Sequence, residues 1–201
     1  MPATSRSSSL IAGRLSLDFV NELGPSSDFQ WEELLRFLLL TRIISSERSS
    51  RLLALPQIDP QGAGDLLLKA RRLHASLHEI FRVMLANESI PLDWVEPINE
   101  VLRITEGHDE LVDKQGAWHL EFVARESGLD WLLAAIARSG AEMIAEGVKA
   151  RLRTCANPSC GLLFCDTSRT GHRRWCSMAR CGNRHKVSIF SRRHSSAGRA
   201  R

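Results

Sequence analysis

The feature that most constrains this chain is a cluster of cysteines near its C-terminal end. All five cysteines of the 201 residues fall between positions 155 and 181, and four of them form two pairs with the same spacing. Zinc prefers four ligands in a tetrahedron, and two close cysteine pairs can supply them from separate loops. An odd, clustered set also favours metal binding over disulfides. The spacing predicts one structural zinc ion per chain, bound by Cys155, Cys160, Cys176 and Cys181.

The residues around the two pairs predict the local fold. Positions 157–159 and Gly161 supply the turn residues that a metal-binding knuckle needs. Residues 162–166 are expected to form a strand, and residues 172–175 a returning strand. A helix is then expected to begin near Ser177 and to carry the last cysteine in its first turn. Knuckle, hairpin and helix together predict a treble-clef-like four-cysteine zinc finger.

Three further residues in this region could be metal ligands or reactive groups. Cys165 falls on a predicted strand, where a lone cysteine usually behaves as a small apolar residue. His172 and His185 could replace a cysteine ligand, although a surface position is expected for both. The alternative for the whole set is free core cysteines or redox thiols, which the repeated spacing disfavours.

Charge is distributed unevenly along the chain. Residues 151–201 contain twelve Lys or Arg and one acid, Asp166, whereas residues 1–150 contain fifteen basic and 22 acidic residues. A basic module joined to an acidic body suggests a polyanionic partner for the C-terminal part.

The first 150 residues predict a mainly α-helical domain with a small β-hairpin, an α+β arrangement. The apolar periodicity is clearest in residues 65–87, and Pro56 is expected to end the second helix because proline cannot continue one. Residues 56–64 collect Pro, Asp and Gly and predict a loop. The expected helices cover residues 29–44, 45–55, 65–87, a segment opened by Pro97, and 129–151.

A hairpin is predicted between the last two of these helices. Residues 111–112 lead into a turn at 114–116, after which Trp118, Leu120 and Phe122 alternate with polar residues. Ser127 and Asp130 have the spacing of a capping box that would open the final helix. The predicted domains are a disordered N-terminus (1–9), a helical domain (10–150), the finger (151–194) and a disordered tail (195–201).

Two segments resemble known protein families. The run Arg173-Arg174-Trp175-Cys176-Ser177-Met178 and the tetrad Cys181-Gly182-Asn183-Arg184 resemble the CGNR zinc finger. Residues 13–21, Gly-Arg-Leu-Ser-Leu-Asp-Phe-Val-Asn, resemble the opening of the ABATE domain, which commonly precedes this finger in bacterial proteins. Together the resemblances cover nearly the whole chain.

The resemblance implies a stress-induced transcription regulator that binds DNA through the finger. The N-terminal domain would sense a signal, with a small-molecule ligand of unknown identity, or mediate assembly, and a homodimer would double the small footprint of one finger. RNA binding and protein interaction remain the alternatives. Basic and amide side chains of the finger are the expected nucleic-acid contacts: Arg169, Arg173, Arg174, Arg180, Asn183, Arg184, Lys186, Arg192 and Arg193.

Other functions find little support in the sequence. No phosphate-binding glycine loop, nucleophile elbow or catalytic triad spacing occurs, so no enzymatic activity is expected. No apolar run approaches the roughly 20 residues that span a bilayer, so we expect a cytoplasmic protein without a membrane partner. His74 and His78 are expected on a helix surface. Asp18 and Asn21 are expected to cap a helix rather than to line a ligand pocket.

Overall fold

The computed structural model describes residues 11–104, 107–114, 117–124 and 128–197. The predicted disordered N-terminus, residues 1–9, lies outside the described residues, as do residues 198–201 of the predicted tail. Residues 195–197 were also predicted to be disordered, but they belong to the last helix.

The N-terminal domain is mainly helical, as predicted. Within the described residues of this domain, one antiparallel hairpin interrupts the helices. In chain order its elements are α1 (Leu15–Leu23), α2 (Trp31–Leu40), α3 (Ser46–Leu53), α4 (Leu55–Ile58), α5 (Pro60–Ala86), α6 (Leu92–Ile104), β1 (Gly107–Lys114), β2 (Ala117–Ala124) and α7 (Trp131–Glu146).

The C-terminal part contains little regular structure before its last helix. A 3₁₀ turn (Gly147–Ala150) leads from α7 into a second, very short hairpin. The elements that follow are β3 (Leu152–Thr154), β4 (Leu163–Cys165), a π-helical turn (Met178–Gly182) and α8 (Asn183–Ala197). The predicted fold class, a mainly α domain followed by a four-cysteine finger, is confirmed.

Helix α5 is the longest element and forms the centre of the domain. The apolar periodicity of residues 65–87 forms a buried stripe on this helix, since Leu66, Leu73 and Leu77 are almost fully excluded from solvent. The predicted loop over residues 56–64 is wrong, because α5 already begins at Pro60. Asp59 caps this earlier start by accepting a hydrogen bond from the Gly62 N–H at 2.9 Å, and proline is favourable in a first helical turn.

The predictions for Pro56 and Pro97 are also wrong, for two different reasons. Pro56 lies in the first turn of α4, where its missing N–H costs nothing, so it begins a short helix instead of ending one. Pro97 lies inside α6, which starts five residues earlier at Leu92. Helix α6 packs on α5 and α7, and these tertiary contacts keep the residues before Pro97 helical.

The hairpin and α7 follow the prediction more closely. Strands β1 and β2 form the predicted antiparallel hairpin, in a register that places Leu111 opposite Leu120. Ser127 of the predicted capping box lies outside the described residues, and the Asp130 side chain instead accepts a hydrogen bond from Lys69 Nζ at 2.7 Å. Helix α7 ends at Glu146 rather than near residue 151, because Gly147 turns the chain with a positive φ of 55°.

Helix α1 packs against several other helices of the domain. It contacts α2, α5 and α7, and Leu17 and Phe19 are completely buried in the shared core. Over the described residues, no helix combines the length and apolar character needed to cross a membrane.

The contact between α7 and α5 gives a stability prediction. A Cβ added at Gly140 would lie 2.5 Å from Cδ2 of Leu77, which is fully buried. Gly140→Ala should therefore lower the free energy of unfolding by about 1–3 kcal/mol through overpacking, measured by urea denaturation.

The matched control is Gly64→Ala in α5, where an added Cβ meets nothing within 4 Å. That substitution should raise the free energy of unfolding by about 0.5–1 kcal/mol, because alanine favours the helix. Equal stabilisation by both substitutions would contradict the close approach of α7 to α5.

Candidate metal centre and nucleic-acid interface

Short turns bring the four paired cysteines together. Cys155 directly follows β3, and its N–H donates to the Leu162 carbonyl at 2.9 Å, which closes the knuckle. Within the knuckle, the Cys160 N–H donates to the Asn157 carbonyl, also at 2.9 Å. Cys181 lies in the π-helical turn, whose start is capped by the Ser177 hydroxyl. The predicted helix start near Ser177 is thereby confirmed.

The sulfur atoms of this set have the spacing of a metal site. The four Sγ atoms of Cys155, Cys160, Cys176 and Cys181 all lie within 4.8 Å of one another. The Sγ of Cys176 is 3.7 Å from those of Cys160 and Cys181. A tetrahedron with Zn–S bonds of about 2.3 Å has edges of about 3.8 Å. The four cysteines therefore form a zinc site, and sulfur is the ligand type that suits this metal.

Hydrogen bonds from the protein support the charged form of the sulfurs. The Cys176 N–H donates to Cys155 Sγ and the Asn157 amide donates to Cys181 Sγ, both at 3.4 Å. Burial raises the pKa of Cys160 and Cys176. Burial also opposes ionisation of Cys181, but the hydrogen bond from Asn157 helps to lower its pKa. A bound cation would offset the burial of these thiolates.

The other candidate ligands lie apart from this set. None of Cys165, His172 and His185 belongs to the metal-binding group found among the described residues. Cys165 is buried, and burial raises the pKa of its thiol. The His185 ring lies 4.8 Å from the Trp175 ring at an angle of 40°.

The predicted strand pairing within the finger is wrong. Strand β4 pairs antiparallel with β3, which precedes the knuckle, and residues 172–175 form no strand. The Asp166 side chain explains the difference, because it accepts hydrogen bonds from the N–H groups of Ser168 and Arg173 and so holds the chain in a turn. The hydrogen bond from the Ser168 hydroxyl is the main cause of the lowered pKa of Asp166.

Strand β4 faces two different cores. Leu163 and Cys165 pack against the core of the N-terminal domain, whereas Phe164 packs against the cysteine cluster. This follows from the alternation of side chains along a strand. A strand of three residues therefore connects the metal site to the helical domain.

The chain before α1 lies along the outer edge of β4. The Cys165 N–H donates to the Ala12 carbonyl at 2.8 Å. The buried Asp18 carboxylate holds this segment by accepting hydrogen bonds from the Ile11 and Ala12 N–H groups, both at 3.1 Å. Burial raises the pKa of Asp18 to about 6. Asp18 lies inside α1 and bonds the chain before it, so its role differs from the expected helix cap.

Asn21 joins the two parts of the protein directly. Its side-chain Nδ2 donates to the Leu163 carbonyl at 2.8 Å, and its Oδ1 accepts from the Leu163 N–H at 3.0 Å. The Asn21 side-chain amide therefore bonds to β4 as the backbone of a neighbouring strand would. The sequence did not predict this contact. The available signal was a polar residue among the apolar residues of α1.

Three arginines of the finger are engaged inside it. Arg173 donates to the backbone carbonyls of Trp175 and Cys176 and lies over the Phe164 ring, 4.7 Å from its centre. Arg151 donates to the Ser168 carbonyl, and Arg153 donates to the Gly171 carbonyl. The Arg173 guanidinium binds the finger's own backbone, and its nucleic-acid contact stays a prediction.

Of the other predicted contacts whose side chains the structure describes, one lies near an aromatic ring. Arg174 lies 5.3 Å from the centre of the Trp175 ring. Arg180 is half-buried, and the side chains of Arg192 and Arg193 lie outside the described set. The exposed members are Arg169, Arg174, Asn183, Arg184 and Lys186.

On α8, Val187 and Phe190 are 64% and 63% exposed. The helix-surface position expected for His74 is wrong. His74 is completely buried between the rings of Phe19 and Phe29, and burial lowers its pKa to about 4. The reason is that α5 is covered on this face by α1 and by the chain before α2.

The fold and the site define a helical protein that carries a four-cysteine zinc finger. Residues 151–194 match the model of the CGNR zinc finger. Residues 13–147 match the model of the ABATE family, described as "Putative stress-induced transcription regulator". Because this match covers well over half of the chain, the protein belongs to the ABATE family. Comparison with curated proteins gives no match.

The metal site predicts a clear difference between two cysteine substitutions. Cys155→Ser removes a zinc ligand and should weaken zinc binding by more than about 100-fold. Loss of a residue that only hydrogen-bonds to a metal ligand already costs up to about 100-fold in metal affinity. Cys165→Ser should retain zinc, because that thiol lies outside the cluster. Competition with a colorimetric zinc chelator measures both, and equal zinc retention by the two variants would contradict the assignment.

The contact between Asn21 and β4 predicts a coupling effect. Asn21→Ala leaves the Leu163 N–H and carbonyl without these partners and should lower the free energy of unfolding by about 1–3 kcal/mol. Hydrogen exchange at the Leu163 amide should accelerate, while zinc content stays unchanged. Ser26→Ala, which removes an exposed hydrogen bond to Asp28, is the control, and unchanged exchange at Leu163 in the Asn21 variant would contradict the contact.

Proposed function

We propose that this protein is a transcription regulator whose zinc finger binds double-stranded DNA. The observation that carries the proposal is the charge left on the finger's surface after its internal contacts are formed. Asp166, the one acid of residues 151–201, is 2% exposed and contacts Arg153 at 3.3 Å. The exposed charged side chains described in the finger are therefore cationic, which suits a phosphate backbone.

The zinc ion has a structural role in this proposal. Four protein sulfurs fill a tetrahedral site, so no position stays open for water or substrate. One ion per chain would fix the knuckle and the start of α8 relative to each other. The proposal accordingly includes no catalytic step.

A groove beside the metal site could receive part of the nucleic acid. It has a volume of about 350 Å³ and lies between the knuckle and α8, where Trp175, Arg184 and His185 line it. Arginine and amide side chains can contact both phosphates and base edges. Arg184 is thus the residue from which we expect the largest contribution.

The proposal predicts a strong salt dependence of DNA binding. Affinity of the zinc-loaded protein for a 20-bp duplex should fall steeply between about 50 and 200 mM salt. Arg184→Gln combined with Lys186→Gln should weaken binding and reduce the salt slope by about 2, one for each lost phosphate contact. Fluorescence anisotropy measures both quantities.

The control removes the same charge from the N-terminal domain, through Arg36→Gln combined with Arg51→Gln, two exposed residues. That variant should keep the slope of the parent protein. Tighter binding to single-stranded RNA than to duplex DNA would replace the DNA target with RNA.

One observation favours a second candidate, a protein-binding finger. Val187 and Phe190 expose apolar surface on α8 close in sequence to the cations, and such surface is typical of contacts between proteins. Pairing of two chains through α8 would be one form of it. If neither duplex DNA nor RNA binds at low salt, this second function replaces the first.

A further inference from the structure

A cavity lies at the junction between the N-terminal domain and the finger. Its volume is about 350 Å³, which falls within the usual range for small-molecule sites. The N-terminal domain contributes one wall through α1 and α5, and the finger contributes the other through residues 160–163. We call it the junction cavity; its lining includes Val20, Asn21, His78, Arg82, Leu85 and residues 160–163.

The walls of the junction cavity are mainly apolar. Val20 and Leu85 face it from the helices, and Leu162 and Leu163 face it from the finger. Such walls favour an apolar ligand body, because burying apolar surface is the main source of affinity in sites of this kind.

The ionisable side chains that line the cavity are those of a histidine and an arginine. His78 and Arg82 are four residues apart on α5 and so share one helix face. Glu79 bonds to both from beside the cavity, at 3.2 Å from His78 Nδ1 and 2.9 Å from Arg82 Nε. The hydrogen bond from Arg82 to Glu79 uses one of the five N–H donors of the guanidinium group. No carboxylate belongs to the described lining, but the Glu79 carboxylate beside it offsets part of the positive charge that an anionic ligand group meets.

We propose that the junction cavity binds a small carboxylic acid with an apolar chain or ring. The carboxylate is received by Arg82 and His78, and the apolar part lies against the four aliphatic side chains. Arginine suits this task because its planar donors match a carboxylate. This ligand site goes beyond DNA binding and does not depend on it.

The position of the cavity allows a bound ligand to affect the packing of the finger on the helical domain. Asn21 and Leu163 both line the cavity, and they are the residues whose two hydrogen bonds join α1 to β4. The zinc ligand Cys160 lies in the same wall. A ligand that contacts both walls stabilises the arrangement in which the finger is packed on the helical domain, by its differential affinity for that state.

Direct binding to the zinc-loaded full chain tests the proposal. The probes are octanoate and benzoate, each compared with the uncharged alcohol of the same skeleton, octanol or benzyl alcohol, by isothermal titration calorimetry. At least one carboxylate should bind with a stoichiometry of one and about tenfold more tightly than its alcohol, the effect of one charge-assisted hydrogen bond. Failure of both carboxylates to bind, or equal affinity for acid and alcohol, would overturn the proposal.

Two variants locate the binding. Arg82→Gln should abolish the preference for the carboxylate, whereas Arg72→Gln, on the same helix but paired with Glu100 outside the cavity, should keep it. Leu85→Trp should block acid and alcohol alike, because Leu85 is 38% exposed and a larger ring can fill the cavity from its rim. Unchanged binding in both Arg82→Gln and Leu85→Trp would mean that the probe binds elsewhere and would contradict the assignment of the junction cavity.

The coupling to the finger has its own readout. With octanoate or benzoate bound, transfer of zinc to a chelator should slow by a factor of about two or more, since the ligand holds the loop that carries Cys160. The same addition should leave zinc transfer unchanged in Leu85→Trp. Binding without any effect on zinc transfer would remove the coupling from the proposal, and none of these measurements requires DNA.

Discussion

The finger depends on the convergence of four sulfurs. Its own buried cluster consists of Phe164 and three of the zinc ligands, with only a few partly buried side chains around them. So little apolar surface cannot order a segment of this length, because ordering each residue costs about 1–2 kcal/mol of backbone entropy. Metal binding supplies the missing stabilisation in small domains of this kind. The shape of the finger's surface therefore follows from the metal site.

The metal site is also part of a larger body. Strand β4 places Phe164 against the sulfurs and its two neighbours against the helical core. Asn21 adds two hydrogen bonds to the same strand, and the Asp18 carboxylate holds the preceding chain along its edge. This boundary therefore contacts both the metal cluster, through Phe164, and helix α1, through Asn21 and Asp18.

The basic residues of the finger fall into two groups with different roles. Arg173 satisfies backbone carbonyls at the turn before the metal site, a position at which a lysine could not make the same set of bonds. Arg184 and Lys186 stay exposed on α8. A count of basic residues alone therefore overstates the charge available to a polyanion, and the exposed group carries the proposed binding.

The sequence alone determined the metal ligands, the helical class of the first domain and the hairpin before α7. These features depend on local spacing and periodicity, so residues close together in the chain suffice to reveal them. The pairing of β4 with β3, the burial of His74 and the exposure of Phe190 depend instead on tertiary structure. The helix that replaces the expected loop before Gly64 begins at a local cap, Asp59, which the prediction did not use. Only tertiary structure brings Asn21 to Leu163, because that contact joins residues 142 positions apart, and no local pattern records which distant backbone a side chain will meet.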